Sequence, residues 1–336
     1  TAGLIFSKDP SEISDEKGSS ALGGGKHSER DWGKRSNHGL NYDFGYNAYL
    51  GTSGLKAFLR QSQVNYILGD TFADMNATGT AVVTSAGLSY PLVRRRAFSL
   101  AASLGYDHKK LIDDILTPYS HIPKTDNLWN FDLSGNFSDT LGGGGANAFS
   151  FSYSRGNLSI DDDTAQGNDA VTAQTAGAFG KFNFVYQRQQ FLRKNLQMNL
   201  TFAGQLADKN LDSSEKFYLG GPTGVRAYPQ SEAAGDQGYR FNAEMRWRIP
   251  GLSTSKSGFY VAGFFDCGSV LVNKNLWSGA GDPNRRSLSG AGLGLLWTRD
   301  KDYAIRLDYA WKTSAEAATS DTDQNGRIWW QGVKYF

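Results

Sequence analysis

A single cysteine among 336 residues excludes an internal disulfide and with it any disulfide-stapled scaffold. No apolar run approaches the roughly 20 residues that a membrane-spanning helix requires. Charge of either sign is not in excess: a net +2 provides neither a nucleic-acid footprint nor an acidic tail, so no nucleic-acid partner is expected. Proline (8), methionine (3) and histidine (4) are scarce, and His27, His38, His108 and His121 lack metal-ligand spacing. No Ser/His/Asp set and no paired acid and base stand out, so neither an enzyme nor a cofactor is expected. Thr1 is not followed by the charged and apolar segments of a secretory leader. What the chain does have is glycine (40 residues) and aromatics (13%), a composition of barrels and sandwiches. The mean hydropathy of −0.46 leaves a transmembrane barrel open, because the lumen-facing half of each strand is polar.

From His38 onward, apolar and polar residues alternate with the period of a strand. Trp129, Phe131, Leu133 and Phe137 share one face, with Asn130, Asp132, Ser134 and Asn136 on the other. Tyr239, Phe241, Met245, Trp247 and Ile249 alternate with Arg240, Asn242, Glu244, Arg246 and Arg248, and Tyr303, Ile305, Leu307, Tyr309 and Trp311 with Arg306 and Asp308. About thirteen such strands can be read. They match the length that crosses a bilayer at a tilt, and their apolar faces are rich in aromatics. A soluble core would favour Val, Ile and Leu instead.

The connections alternate short and long. Short ones fall at 51–54, 94–96, 193–195 and 299–302, with middling ones at 139–145 and 251–257. Long ones are expected at 69–79, 111–127, 157–180, 207–238, 269–287 and 313–326. This parity predicts an all-β, transmembrane antiparallel barrel with short periplasmic turns and long external loops in a bacterial outer membrane. Residues 1–37 are read as a partial strand and an external loop, and 38–336 as the barrel. Closed single-chain barrels use even strand numbers, so the thirteen imply at least one more strand, and the sequence is read as N-terminally truncated.

The connection 207–238 holds a lone cation, Arg226, among Gly220, Gly221, Pro222, Gly224, Val225, Ala227, Tyr228 and Pro229. Glycine and proline suit a tight loop that approaches other backbone. Two later carboxylates point inward by parity: Glu244, beside Asn242 and Arg246, and Asp266, whose exposure to lipid would cost roughly 2–4 kcal/mol. From these residues alone, a solvated loop arginine and a buried, paired one both remain open.

Leu219-Gly220-Gly221, Val225-Arg226-Ala227-Tyr228-Pro229, Asn242-Ala243-Glu244-Met245-Arg246, Phe264-Phe265-Asp266-Cys267-Gly268 and the terminal Phe336, a barrel-insertion signal, resemble the ShlB/FhaC/HecB transporters of two-partner secretion, in the Omp85 superfamily. The resemblance implies a sixteen-stranded barrel whose motif loop folds back into the lumen, with Arg226 paired to Asp266 and Glu244 nearby. It implies a pore that exports a large secreted partner of the TpsA type, such as an adhesin, haemolysin or contact-dependent toxin. The bilayer with its lipopolysaccharide and the barrel assembly machinery would be further partners. Nothing in the chain resembles the family's plug helix or its periplasmic POTRA domains. The superfamily motif usually carries Gly where Ala227 stands, and alanine fits less freely if φ is positive there. A barrel-assembly or insertion factor and a passive porin are the rival readings.

Asp321-Thr322-Asp323 imitates the start of a calcium loop but lacks the closing Glu, and reads as a polar external loop. Asp161-Asp162-Asp163 reads as a solvated loop by default.

Overall fold

The computed structural model describes residues 41–67, 78–116 and 119–335. The expectations for 1–37 and for Phe336 lie outside the described residues. Fifteen strands follow one another there: β1 (Tyr42–Tyr49), β2 (Lys56–Ile67), β3 (Thr78–Arg94), β4 (Phe98–Leu116), β5 (Tyr119–Asp139), β6 (Gly145–Ile160), β7 (Gly177–Arg193), β8 (Leu196–Ala207), β9 (Phe217–Tyr218), β10 (Ala234–Gly235), β11 (Gln237–Arg248), β12 (Ser257–Leu271), β13 (Arg285–Arg299), β14 (Tyr303–Lys312) and β15 (Gly326–Lys334). Thirteen form one antiparallel sheet in sequence order, with β8 paired to β11. β9 and β10 pair only with each other, inside the connection between β8 and β11.

Within the large sheet each strand pairs with the next one along the chain, the usual order because consecutive elements tend to lie side by side. Alternation then fixes the register, since a one-residue slip would turn every apolar side chain to the wrong face. The outer face carries the large apolar side chains. Trp247 is 54% exposed and Leu293 58%, and Phe131, Tyr239 and Tyr309 are also exposed. Rings on β6, β7, β8 and β11 form a continuous row, Phe151 to Phe182, Phe184, Phe202 and Tyr239, with centroids 5.3–6.4 Å apart. A soluble fold would bury such a row; a bilayer accommodates it. Cys267 lies half-buried with the outward parity of Phe265.

Two expected loops are shorter than the alternation suggests. Instead of a loop over 111–127, β4 runs to Leu116 and β5 starts at Tyr119, paired throughout. Lysine, aspartate and proline in that stretch obscure the pattern, yet water beyond the bilayer tolerates polar residues on both faces of a strand. Instead of a loop over 157–180, β6 continues to Ile160 and helix α1 (Asp163–Val171) precedes β7. Asp162, expected in a solvated loop, caps that helix by accepting from the Ala165 N–H at 2.7 Å.

Leu293 lies near the middle of β13 on the outer face. Leu293→Arg should destabilise the protein by roughly 2–4 kcal/mol in a bilayer. Denaturant unfolding in lipid vesicles measures this; an unchanged midpoint would remove the lipid-facing assignment.

Candidate functional site

The connection between β8 and β11 does not extend away from the sheet. Its backbone folds onto the inner face, where Leu219, Val225, Ala227 and Tyr228 join Phe264, Val270, Leu288 and Ala310 in a buried cluster. The loop achieves this with tight turns. A Cβ on Gly220 would lie 2.2 Å from the Pro229 carbonyl oxygen, and one on Gly224 would lie 1.9 Å from that of Leu219. Gly221 has φ +113°. Glycine alone fits these three places. Ala227 is not among the residues with positive φ, so the condition under which alanine would fit less freely is not met. Its methyl group instead fills the space over Gly290, where any Cβ would approach it to 2.4 Å.

The wall beneath is a grid set by register. One row holds Asn242, Asp266 and Gly290; the next holds Glu244, Phe264, Gly292 and Ala310; the third holds Arg246, Ala262, Gly294 and Asp308. Small residues on β13 leave a trough, and the acidic residues flank it. Arg226 lies in this trough, 5% exposed. Its Nε donates to Asp266 Oδ2 and its Nη2 to Asp266 Oδ1, both at 2.8 Å, the forked geometry suited to a carboxylate. Its Nη1 donates to Glu244 Oε2 at 2.7 Å and reaches Asp308 Oδ2 at 3.4 Å. The guanidinium lies 3.3 Å over the Phe264 ring, which shields it from water.

Asp266 is fully buried and also accepts from Asn242 Nδ2 at 2.9 Å and the Arg226 N–H at 3.2 Å. Arg246 and Arg306 complete the set: Arg246 donates to Glu244, and Arg306 to both Glu244 and Asp308. Three guanidinium groups therefore face three carboxylates, a neutral network whose Arg226 and three acids are buried and whose Arg246 and Arg306 are half-buried. Removing one member would strand a charge, costing about 3–5 kcal/mol where water is excluded.

Phe264, Asp308, Arg306 and Trp329 were not assigned roles from sequence. Asp308 and Arg306 carried a signal, since both sit on the polar face of an alternating strand. Trp329, whose Nε1 donates to the Arg226 carbonyl at 2.6 Å, carried none.

The loop also holds an external segment. Tyr228 Oη lies 2.8 Å from both Ser314 Oγ and the Glu316 carbonyl oxygen. Glu232, fully buried, accepts from the backbone N–H groups of Thr319 (3.0 Å) and Ser320 (2.9 Å) and from Arg286 Nη1 (2.6 Å). Among the described residues no cluster suited to a metal ion is found.

Residues 21–296 match the family described as haemolysin secretion/activation protein ShlB/FhaC/HecB. The heme/hemopexin transporter protein HuxB of Haemophilus influenzae is 27% identical over 274 residues, which cover 81% of this chain and 47% of HuxB. CdiB from Escherichia coli has the same fold, with a TM-score of 0.68 at 18% identity over 86% of this chain and 52% of CdiB. BamA from Haemophilus ducreyi gives 0.58 at 14% identity, over 88% of this chain and 62% of BamA. At these identities the two solved structures speak for the fold alone. The chain spans about half the length of the HuxB relatives it matches.

Gly290→Val should force Ala227 off the wall and expose the loop to protease, while Gly281→Val, in open space, should not. Equal protease resistance of the two variants would contradict the close approach. Burial alone would raise the pKa of Glu232, but its bonds from Ser320 and Thr319 hold it below the ordinary value. Its contribution is then complete above the unfolded-state value of about 4.3 and is lost as pH falls through the depressed folded-state value. Proteolysis of segment 313–326 should accelerate on acidification, and Glu232→Gln should flatten that dependence.

Proposed function

This chain belongs to the ShlB/FhaC/HecB family of haemolysin secretion/activation proteins, and we propose that it forms the outer-membrane pore through which a large partner protein leaves the cell in two-partner secretion. The observation that carries this reading is the loop locked inside the sheet. Arg226 and the wall of Asp266, Glu244 and Asp308 hold a folded segment against the inner face of a membrane-type sheet. A conduit for small solutes needs polar lining, but it has no need of a returning loop whose arginine is buried among three carboxylates of the wall.

The cargo is a secreted polypeptide of the TpsA class. The family description, haemolysin secretion/activation, supports a secreted protein as cargo here. No nucleotide is required, because folding of the exported chain outside the cell supplies the driving force. The barrel comprises residues 38–336, with 207–238 as its in-folded loop. It lies in the lipopolysaccharide-bearing outer membrane, where the barrel assembly machinery inserts it with the aid of Phe336. The loop motif, Gly220 to Tyr228, works through its geometry: Arg226 fixes the position of the segment that narrows the pathway. Likeness to BamA extends to the fold, and the match to the secretion family favours export over barrel assembly.

In the full-length protein, Asp266→Arg should impair export of the partner by roughly an order of magnitude or more. Arg226→Asp should do the same, and the double reversal should recover part of the loss. Wild-type export from both single variants would sink the assigned role.

A further inference from the structure

The loop is fastened at a second place, on strands other than those that hold Arg226. In the connection after β8 a short 3-10 turn, Ser213–Glu215, lies against the inner face of β4, β5 and β7. Asp212 meets Lys124 Nζ on β5 at 2.7 Å, and Lys124 also meets Asp113 on β4 at 2.7 Å. Glu215, 1% exposed, pairs with Lys109 on β4 and lies 2.7 Å from Lys181 Nζ on β7. Leu211 packs with Leu128, Leu158 and Phe179. This level is beyond the lipid belt. The residues that share the outward parity of Tyr106 and Trp129 here are His108, Lys110, Thr125 and Asn127, all polar.

A fourth acid closes the cluster. Asp126 on β5 is fully buried, and neither of its oxygens accepts a bond from a nitrogen or hydroxyl donor among the described residues. The group it meets is another carboxyl, that of Glu215, whose Oε2 also lacks an aligned donor. Two buried acceptors can hold each other only through a proton between them. Charge balance requires the same proton. Lys109, Lys124 and Lys181 are matched by Asp113, Asp212 and Glu215, so a charge on Asp126 would leave one anion in excess away from water. Burial pushes the Asp126 carboxyl up to about 7, and the neighbouring Glu215 adds to the rise. Burial alone would raise Glu215 too, but Lys181 and Lys109 hold it below its ordinary value, so the proton belongs to Asp126. The groups facing the pair are Lys109 and Asp113 from β4, Lys124 from β5, Lys181 from β7, and Asp212 and the Tyr218 phenol from the connection. β6 presents Leu158, and β8 presents Gln205, which donates to the Glu215 carbonyl at 2.9 Å. The histidines of β4 and β5, His108 and His121, have outward parity.

We propose that this end of the loop is fastened by a proton: Asp126 and Glu215 share one hydrogen, and the turn Ser213–Glu215 stays seated on the β4–β7 wall while that hydrogen is present and lifts when it is lost. The hydrogen leaves to water as H⁺, and the two carboxylates it joined are then separately hydrated. Arg226, whose acids already face three guanidinium groups, stays in place. The sign follows from a carboxyl whose seated value is raised. Its contribution is full below the ordinary value of about 3.9 and is gone above about 7. The Glu232 fastening of segment 313–326 has the opposite sense, since it loosens in acid. Two arrangements of one segment, biased by one proton, make a switch. Asp126 is a positioning residue, and the switch stands on the loop alone, whatever the pore exports.

The test is amide hydrogen exchange, read by mass spectrometry on the full-length protein in lipid vesicles from pH 5 to pH 8. The rate over 208–217 is divided by that of Asp126→Asn at the same pH, so the intrinsic pH dependence of exchange cancels. Asparagine is neutral throughout and can donate to Glu215. The ratio should rise about ten-fold or more across the range, since each unit of pKa difference is ten-fold. Residues 219–228, held at Arg226, should change by less than about two-fold. Glu215→Gln restores three cations against three carboxylates with Asp126 ionised, so it should abolish the rise; a merely structural role for either acid would shift rates by a constant factor instead. A wild-type ratio constant within about two-fold from pH 5 to pH 8 would overturn the proton fastening. If Asp126→Asn inserts poorly, the wild-type ratio of 208–217 to 219–228 decides in the same way. Loss of export without change in this profile would count against the pore reading only.

Discussion

Everything in the inner half of this molecule depends on keeping one guanidinium out of water. Arg226 can be buried because Asp266 meets it as a fork, Glu244 and Asp308 add negative charge, Phe264 covers its face and Arg246 and Arg306 restore neutrality. Remove the trough of Gly290, Gly292 and Gly294 and there is no room for the loop; remove the acids and there is no reason for it to enter. Space and charge are supplied by the same strands, because register places small residues on β13 level with carboxylates on β12 and β14.

The sheet supplies that wall by obeying two solvents at once. Its outer face carries rings and leucines suited to lipid, and its inner face carries charge that must be paired or hydrated. Where strands extend past the lipid the constraint relaxes, and β4 and β5 carry Lys, Asp and His on both faces. Those extensions hold Lys109 and Lys124, which pair with Glu215 and Asp212 at the 3-10 turn Ser213–Glu215 in the connection after β8, so the long strands and the crossing loop belong to one design.

Strand parity made most of the sheet legible. The thirteen alternating stretches correspond to the thirteen strands of the sheet, because a two-solvent strand writes its environment into every second residue. Strand ends beyond the bilayer were not legible, for that code lapses in water, and residues 111–127 were read as loop for this reason. At the site, parity set Glu244 and Asp266 on the inner face, and the family resemblance supplied their link to Arg226. Parity also turned Phe264 and Asp308 inward, but only three-dimensional register shows that they meet the same arginine. Trp329 and the 3-10 turn at Glu215 left no mark in the pattern, since each depends on contacts far apart in sequence. At Ala227 the family's usual glycine leaves the backbone open, and the structure shows that φ is not positive and that what the residue needs is the missing side chain of Gly290.

The Arg226 carbonyl accepts from Trp329, 103 residues further along the chain, and its side chain needs β11, β12 and β14 in register. No earlier intermediate of chain assembly can contain this constellation, because its last donor resides on β15. Contacts of such separation are slow to form, since loop closure must precede their reward. The buried arginine thus doubles as a record of assembly order: a sheet that has accepted Arg226 in full is one that β15 has already joined.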